Sequence, residues 1–140
     1  MAAGPTKIRL EVVTPQGHAL HTEADAVDLA SVMGEFEVLP GHLPVLVALK
    51  SGPFRWRQGG RVSRAALGEG FAEARADAVI VLADQFMDAK EIDTEAAQKD
   101  LAKAEEAIKA FDGPQVGAVF GDIARARDWA QARIDIAREL

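Results

Sequence analysis

The periodicity of this chain changes once, near residue 88, and that single change excludes most folds. Before it, apolar residues alternate with polar ones in short runs. Ile8, Leu10 and Val12 alternate with Arg9 and Glu11, the period of a half-buried strand. Thr14-Pro15-Gln16-Gly17 reads as a turn, with Pro setting φ and Gly free to take a positive φ. Val27, Leu29 and Ser31 alternate again, and Gly34 and Pro40-Gly41 bracket a short strand over residues 36–39. A strand over 45–49 ends at Ser51-Gly52-Pro53. Phe54 and Trp56 then alternate with Arg55 and Arg57, and Gln58-Gly59-Gly60 is a hairpin signal. Runs over 62–67, 71–75 and 79–82 complete the series. Turns every eight to twelve residues between short strands predict an all-β domain over residues 1–88. The form expected is an antiparallel β-sandwich of about ten strands. No helical period interrupts the strands, so a parallel βαβ arrangement is excluded.

From Ile92 the period is helical. Asp93 is suited to an N-cap, and Glu95 places negative charge in the first turn, where the helix dipole favours it. Ala97, Leu101, Ala104, Ile108 and Phe111 fall on one helical face. Asp112-Gly113-Pro114 stops the helix. A second helix is expected over about residues 122–139, with an apolar stripe of Ile123, Ala126, Ala130, Ile134 and Ala137. Gly117 and Gly121 weaken the approach to it. The short connection predicts an antiparallel two-helix hairpin over residues 89–140. If that hairpin folds onto the sandwich, Leu101, Ile108, Phe111, Ile123 and Trp129 are the large side chains expected to be buried.

Composition narrows function. The net charge of −6 and pI near 5.0 argue against a nucleic-acid binder, which needs a basic face to displace counterions from phosphates. Without cysteine there is no disulfide, thiolate nucleophile or Cys-based zinc site. His18 and His21 are three apart and would face opposite sides of a strand, so no metal site is expected. No phosphate-cradling Gly-rich loop ending in Gly-Lys-Ser/Thr occurs, and no nucleophile, base and oxyanion arrangement emerges. No apolar run reaches the roughly 20 residues that span a bilayer, and residues 1–7 lack the apolar centre of a secretory signal. Membrane association is therefore expected only through a partner.

One segment is more specific than any of these patterns. Gly34-Glu35-Phe36-Glu37-Val38-Leu39-Pro40-Gly41-His42-Leu43-Pro44 resembles a motif of the epsilon subunits of bacterial and chloroplast rotary ATP synthases. Residues 45–52, Gly68-Glu69-Gly70-Phe71-Ala72-Glu73 and residues 79–84 resemble the same family in order, with Glu69 where a Gly is usual. The likeness covers roughly residues 7–139. It implies a non-catalytic, cofactor-free rotor subunit at the cytoplasmic face of the bacterial inner membrane. That subunit couples proton flow to ATP synthesis. It implies three partners: the gamma subunit of the central stalk, the membrane ring of c subunits and, in an inhibited state, the catalytic beta subunits. Glu35 and His42 become candidates for the ring- and stalk-facing edge.

The C-terminal helices of the family can extend and inhibit hydrolysis, which makes Arg125, Arg127 and Arg133 candidates for that contact. Some members bind ATP where the first helix begins, through Ile/Leu-Asp-x-x-Arg-Ala. The corresponding residues here are Ile92, Asp93 and Ala97, with Ala96 in place of the arginine. The cation best suited to a phosphate is missing, so weak or no ATP binding is expected. Two other readings are a small-ligand (nucleotide) binding β-sandwich with a helical sensor tail and a small hydrolase.

Overall fold

The computed structural model describes residues 4–140. Ten strands come first: β1 (Ile8–Thr14), β2 (Gly17–Ala24), β3 (Ala26–Ser31), β4 (Gly34–Val38) and β5 (Val45–Leu49), then β6 (Gly52–Gln58), β7 (Arg61–Leu67), β8 (Gly70–Ala74), β9 (Ala78–Ala83) and β10 (Phe86–Asp88). A single 3-10 turn, Ala89–Glu91, leads into α1 (Thr94–Ala110) and α2 (Ala118–Ala137).

The strands form one continuous ladder folded into two layers. One layer runs β10-β7-β6-β3, with β4 on the free side of β3; the other runs β5-β8-β9-β1-β2. Strand β3 makes the corner. Ala26 to Asp28 pair with β6, while Ser31 pairs with Leu49 of β5. Pairing is antiparallel except between β1 and β9, which run parallel. That long-range pairing leaves no local mark in the sequence.

Alternation fills the space between the layers. Ile8, Leu10 and Val12 of β1 meet Val27, Leu29, Val38, Phe54, Trp56, Leu67, Val79 and Val81 in one core. Phe54 sits at its centre against Trp56 and Phe86, with ring centroids 5.3 and 6.4 Å away. The turns follow their residues. The Leu39 carbonyl accepts from the His42 N–H at 3.1 Å, with Pro40 next and Gly41 at φ +88°. This is a type II turn, in which only the third position must take a positive φ. Gly41 N–H also donates to Ala76 O at 2.7 Å, tying that turn to the β8–β9 connection.

The Gly68-Glu69-Gly70 segment explains its own departure from the family pattern. A Cβ on Gly68 would lie 1.9 Å from Asp84 Oδ1, and one on Gly70 would lie 1.9 Å from the Leu82 carbonyl oxygen. Both glycines are therefore required by close packing, whereas Glu69 between them points to solvent.

The helices form an antiparallel hairpin in which α2 lies on the outer face of β6 and β7 and α1 packs mainly on α2. Asp93 caps α1, accepting from the Ala96 N–H at 3.1 Å. Helix α2 begins four residues before the expected Asp122, at Ala118. Gly117, at φ +94°, stands at its N-cap without a side-chain hydrogen bond.

The buried surface of the hairpin differs from the expected one. Ala97, Ala104, Ala130 and Ile134 are buried as their spacing predicts, but Ala126 is exposed. Leu101, Ile108, Phe111, Ile123 and Trp129 are only half-buried. The reason is a second face on α2: Ala132 and Ile136, with Trp129 beside them, pack on Ala66 and Ala89. A helix squeezed between a sheet and another helix must be apolar on two sides, and most of that surface here is alanine.

Candidate assembly interface

The side chains that point outward from the sandwich are the informative ones. In β8 the small residues Ala72 and Ala74 face the core while Phe71 points out and is 56% exposed. Phe71 pairs with Leu82 of β9, which is 55% exposed, and Leu46 of β5 is 70% exposed. With Ile80 and Glu73 they line a shallow hollow of about 170 Å³. An apolar stripe across adjacent strands, with alanine on the buried side of β8, is the reverse of a solvated sheet face and marks a surface built for a partner. Leu39, Leu43 and Val45 around the Pro40-Gly41 turn, and Val32 and Met33 at the β3–β4 turn, are exposed as well.

Sequence reasoning did not single out Phe71, Leu46 or Leu82. A signal was available: Phe71 shares its strand phase with Glu69 and Glu73, which places it on the wet face.

Glu35 and His42 are not brought together. Glu35 falls just outside the strand expected over residues 36–39 but lies in β4, opposite Ala30 of β3, because the hairpin closes immediately before it, at Ser31–Gly34. His42 lies beyond the other end of the same strand, exposed, with its Nδ1 2.6 Å from the Leu43 carbonyl oxygen. Glu35 is largely exposed and its Oε1 is 3.7 Å from Arg55 Nη1.

The three arginines of α2 also have separate environments. Arg125 pairs with Asp122 and lies 3.8 Å from Glu69 of the sandwich. Arg127 pairs with its neighbour Asp128 at 3.1 Å. Arg133 is 8% exposed and clips the hairpin together. It donates to Asp100 of α1 at 2.9 Å and to the Trp129 carbonyl at 3.3 Å, and its guanidinium stands 5.6 Å from the Trp129 ring centre. They do not form one basic face in this compact arrangement.

At the start of α1, Ile92 packs against the α2–sheet contact, Ala97 is fully buried, and the Asp93 carboxylate is committed to its capping bond. A cleft of about 470 Å³ opens between the helices and is lined by Lys103, Trp129 and Arg133 among others.

A charged cluster on the opposite layer was not foreseen. Arg55 of β6 makes a two-pronged contact with Glu139, just past α2: Nε to Oε1 at 2.7 Å and Nη2 to Oε2 at 3.0 Å. Arg64 of β7 stands 3.5 Å from the same carboxylate. The hydrogen bond from Arg55 holds the Glu139 carboxyl below the usual carboxylate range and raises Arg55 in turn. Beside them Asp28 pairs across the ladder with Glu37, and its carboxyl is raised by burial and by that second acid.

The family model described as the ATP synthase delta/epsilon chain β-sandwich domain matches residues 7–89. The chain belongs to the ATP synthase epsilon family. It is 42% identical over 103 residues to the ATP synthase epsilon chain of Geotalea daltonii, covering 74% of this chain and 75% of that one. The epsilon chain of a Synechococcus species is 42% identical over 106 residues, 76% and 78% of the two chains. In fold, the epsilon-family chain superposes on a chain of the Euglena gracilis mitochondrial ATP synthase with a TM-score of 0.82 at 22% identity, over 98% of this chain and 84% of the other. That likeness shows a shared architecture of sandwich and two helices.

Proposed function

We propose that this epsilon-family chain is a non-catalytic rotor subunit of a proton-translocating ATP synthase. Its sandwich, residues 1–88, would dock on the gamma subunit and the ring of c subunits, and its hairpin, residues 89–140, would regulate hydrolysis. The observation that carries the reading is the outward apolar stripe of Leu46, Phe71 and Leu82 on a domain of this family. Among the described residues no helix is long and apolar enough to cross a membrane, which agrees with attachment through partners. The attachment we propose is at the cytoplasmic face of the bacterial inner membrane.

Affinity purification of the chain from its native host tests this. Recovery of gamma and the catalytic subunits is expected, and Phe71→Glu should abolish it while the free chain stays folded. Undiminished recovery with Phe71→Glu would remove the stripe from the interface. Glu35 and His42, at opposite ends of β4, would meet different surfaces of the assembly.

The inhibitory role of Arg125, Arg127 and Arg133 requires an extended state, since Arg133 is buried between the helices here. Truncation after Met87 retains Phe86, which completes the core, and should leave a folded sandwich in an enzyme no longer restrained in hydrolysis. Equal inhibition with and without the hairpin would refute that role. Free ATP is expected to bind weakly, because Ala96 supplies no cation and Asp93 is occupied as a cap. A micromolar isotherm with the isolated chain would overturn this.

A further inference from the structure

The contact that fastens α2 to the sandwich is uneven along its length. Only Ala132 and Ile136 of α2 are fully buried against Ala66 and Ala89, and Trp129 is half-buried. Alongside, a cleft of about 300 Å³ separates Asp128, Gln131 and Asp135 from Lys50, Ser51 and Pro53. Helix α1 adds little to the sheet contact because it rests mainly on α2.

Against this thin apolar seam stand the looser Arg125–Glu69 pair at 3.8 Å and one long-range contact with full hydrogen bonds, between residues 84 apart in sequence. Glu139 follows the C-terminal end of α2, where the helix dipole disfavours a carboxylate. Two guanidiniums from the sheet, Arg55 and Arg64, meet it there, and the Arg55 and Glu139 side chains are about three-quarters covered. Arg55 presents its remaining Nη1 to Glu35. A guanidinium has a fixed fork of donors, so two carboxylates on one Arg share it rather than each receiving it whole.

We propose that Arg55 and Glu139 form a clasp that keeps the hairpin docked on the sandwich, and that Glu35 competes for the same guanidinium. Neutralising Glu35 therefore tightens the clasp. A partner that supplies a cation or donor to Glu35 would favour the docked hairpin, linking the β3–β4 edge of the sandwich to the state of the helices. This last link rests on the reading of Glu35 as partner-facing. The clasp itself is a property of the free chain, and its failure would leave the assembly reading untouched.

The absence of cysteine permits a direct test on the full chain. Ala132, 2% exposed on the sheet side of α2, is changed to Cys, and its rate of thiol modification reports the undocked fraction. Ala72→Cys, in the sandwich core, reports global opening. In the A132C background, E139Q should raise the rate on the order of tenfold at low salt. R55Q should do the same, and the two together should add little more. Salt should speed modification of the parent and leave E139Q unaffected. E35Q should slow it. An unchanged rate on adding E139Q to A132C, or an equal rise on adding it to A72C, would overturn the clasp. A faster or unchanged rate in E35Q would overturn the competition.

Discussion

The two halves of this molecule are held together by different kinds of contact. The sandwich core is made of large side chains from nearly every strand, with Phe54, Ile8, Leu10 and Leu29 fully buried. The hairpin is joined to itself and to the sheet through Ala97, Ala104, Ala130 and Ala132, two isoleucines and a few charged pairs. Burial stabilises roughly in proportion to apolar area, so alanine seams allow close approach but contribute little each. A domain built the first way keeps one shape; an element attached the second way can exchange its contacts for those of a partner of modest affinity. The expectation of five large side chains buried under the hairpin would have implied a far firmer attachment. Those five are half-buried.

The comparison is most easily broken in the sandwich. Phe54→Ala removes the ring at the centre of the core and should cost about 3–5 kcal/mol, seen as a lower urea midpoint for every strand probe at once. If some strands unfold while others persist in that variant, the sandwich is not the cooperative unit claimed here.

Ile136→Ala is the matching change in the hairpin. It should weaken docking by about 2–4 kcal/mol, enough to free α2 from the sheet. Hydrogen exchange should show lost protection in α1 and α2, with β1 and β9 unchanged. Coincident loss in helices and strands would mean that the two halves form one cooperative body.

These two positions also show what the sequence discloses. Phe54 was legible because strand alternation places it opposite Arg55 and Arg57, and the helices and their stop at Asp112-Gly113-Pro114 were legible from period and turn chemistry. Ile136 was not singled out, because α2 carries two apolar faces and the stripe toward α1 masks the one toward the sheet. The outward Phe71 was readable from phase alone. The Arg55–Glu139 contact was not, since nothing local joins a strand residue to a helix end 84 positions later. The motif around Pro40-Gly41 was legible as a turn, but the separation of Glu35 from His42 depends on where β4 begins.

Acid should loosen the hairpin before the sandwich. Glu139 has a carboxyl pKa lowered below its ordinary 4.5, first by the Arg55 hydrogen bond and further by the charges of Arg55 and Arg64. A depressed folded-state value means that the stabilisation is complete above the unfolded value and is lost as pH falls through the folded one. The charges of Glu35 and Asp28 also act on the Arg55 that Glu139 engages. The effect should be about 1 kcal/mol, read as faster modification of the A132C thiol below pH 4.5, relative to A72C at the same pH, and a flat ratio from there to neutrality. E139Q should erase the acid limb.

The smallest effect expected is at the first turn of α1. Asp93→Ala removes the acceptor for the Ala96 N–H and leaves that donor to water, a loss of about 0.5–1 kcal/mol at an exposed helix start. Because α1 leans on α2 and not on the strands, the fraying should remain local. Amide exchange should quicken over residues 94–97, with the docked seam at Ala132 and Ile136 unaltered. Asp93→Asn keeps a capping oxygen and should restore nearly all of the protection. If Asp93→Ala instead undocks α2, the start of α1 and its neighbour Ile92 contribute to attachment. The division between a firm core and a lightly held hairpin would then have to be drawn after α1 begins rather than at the end of β10.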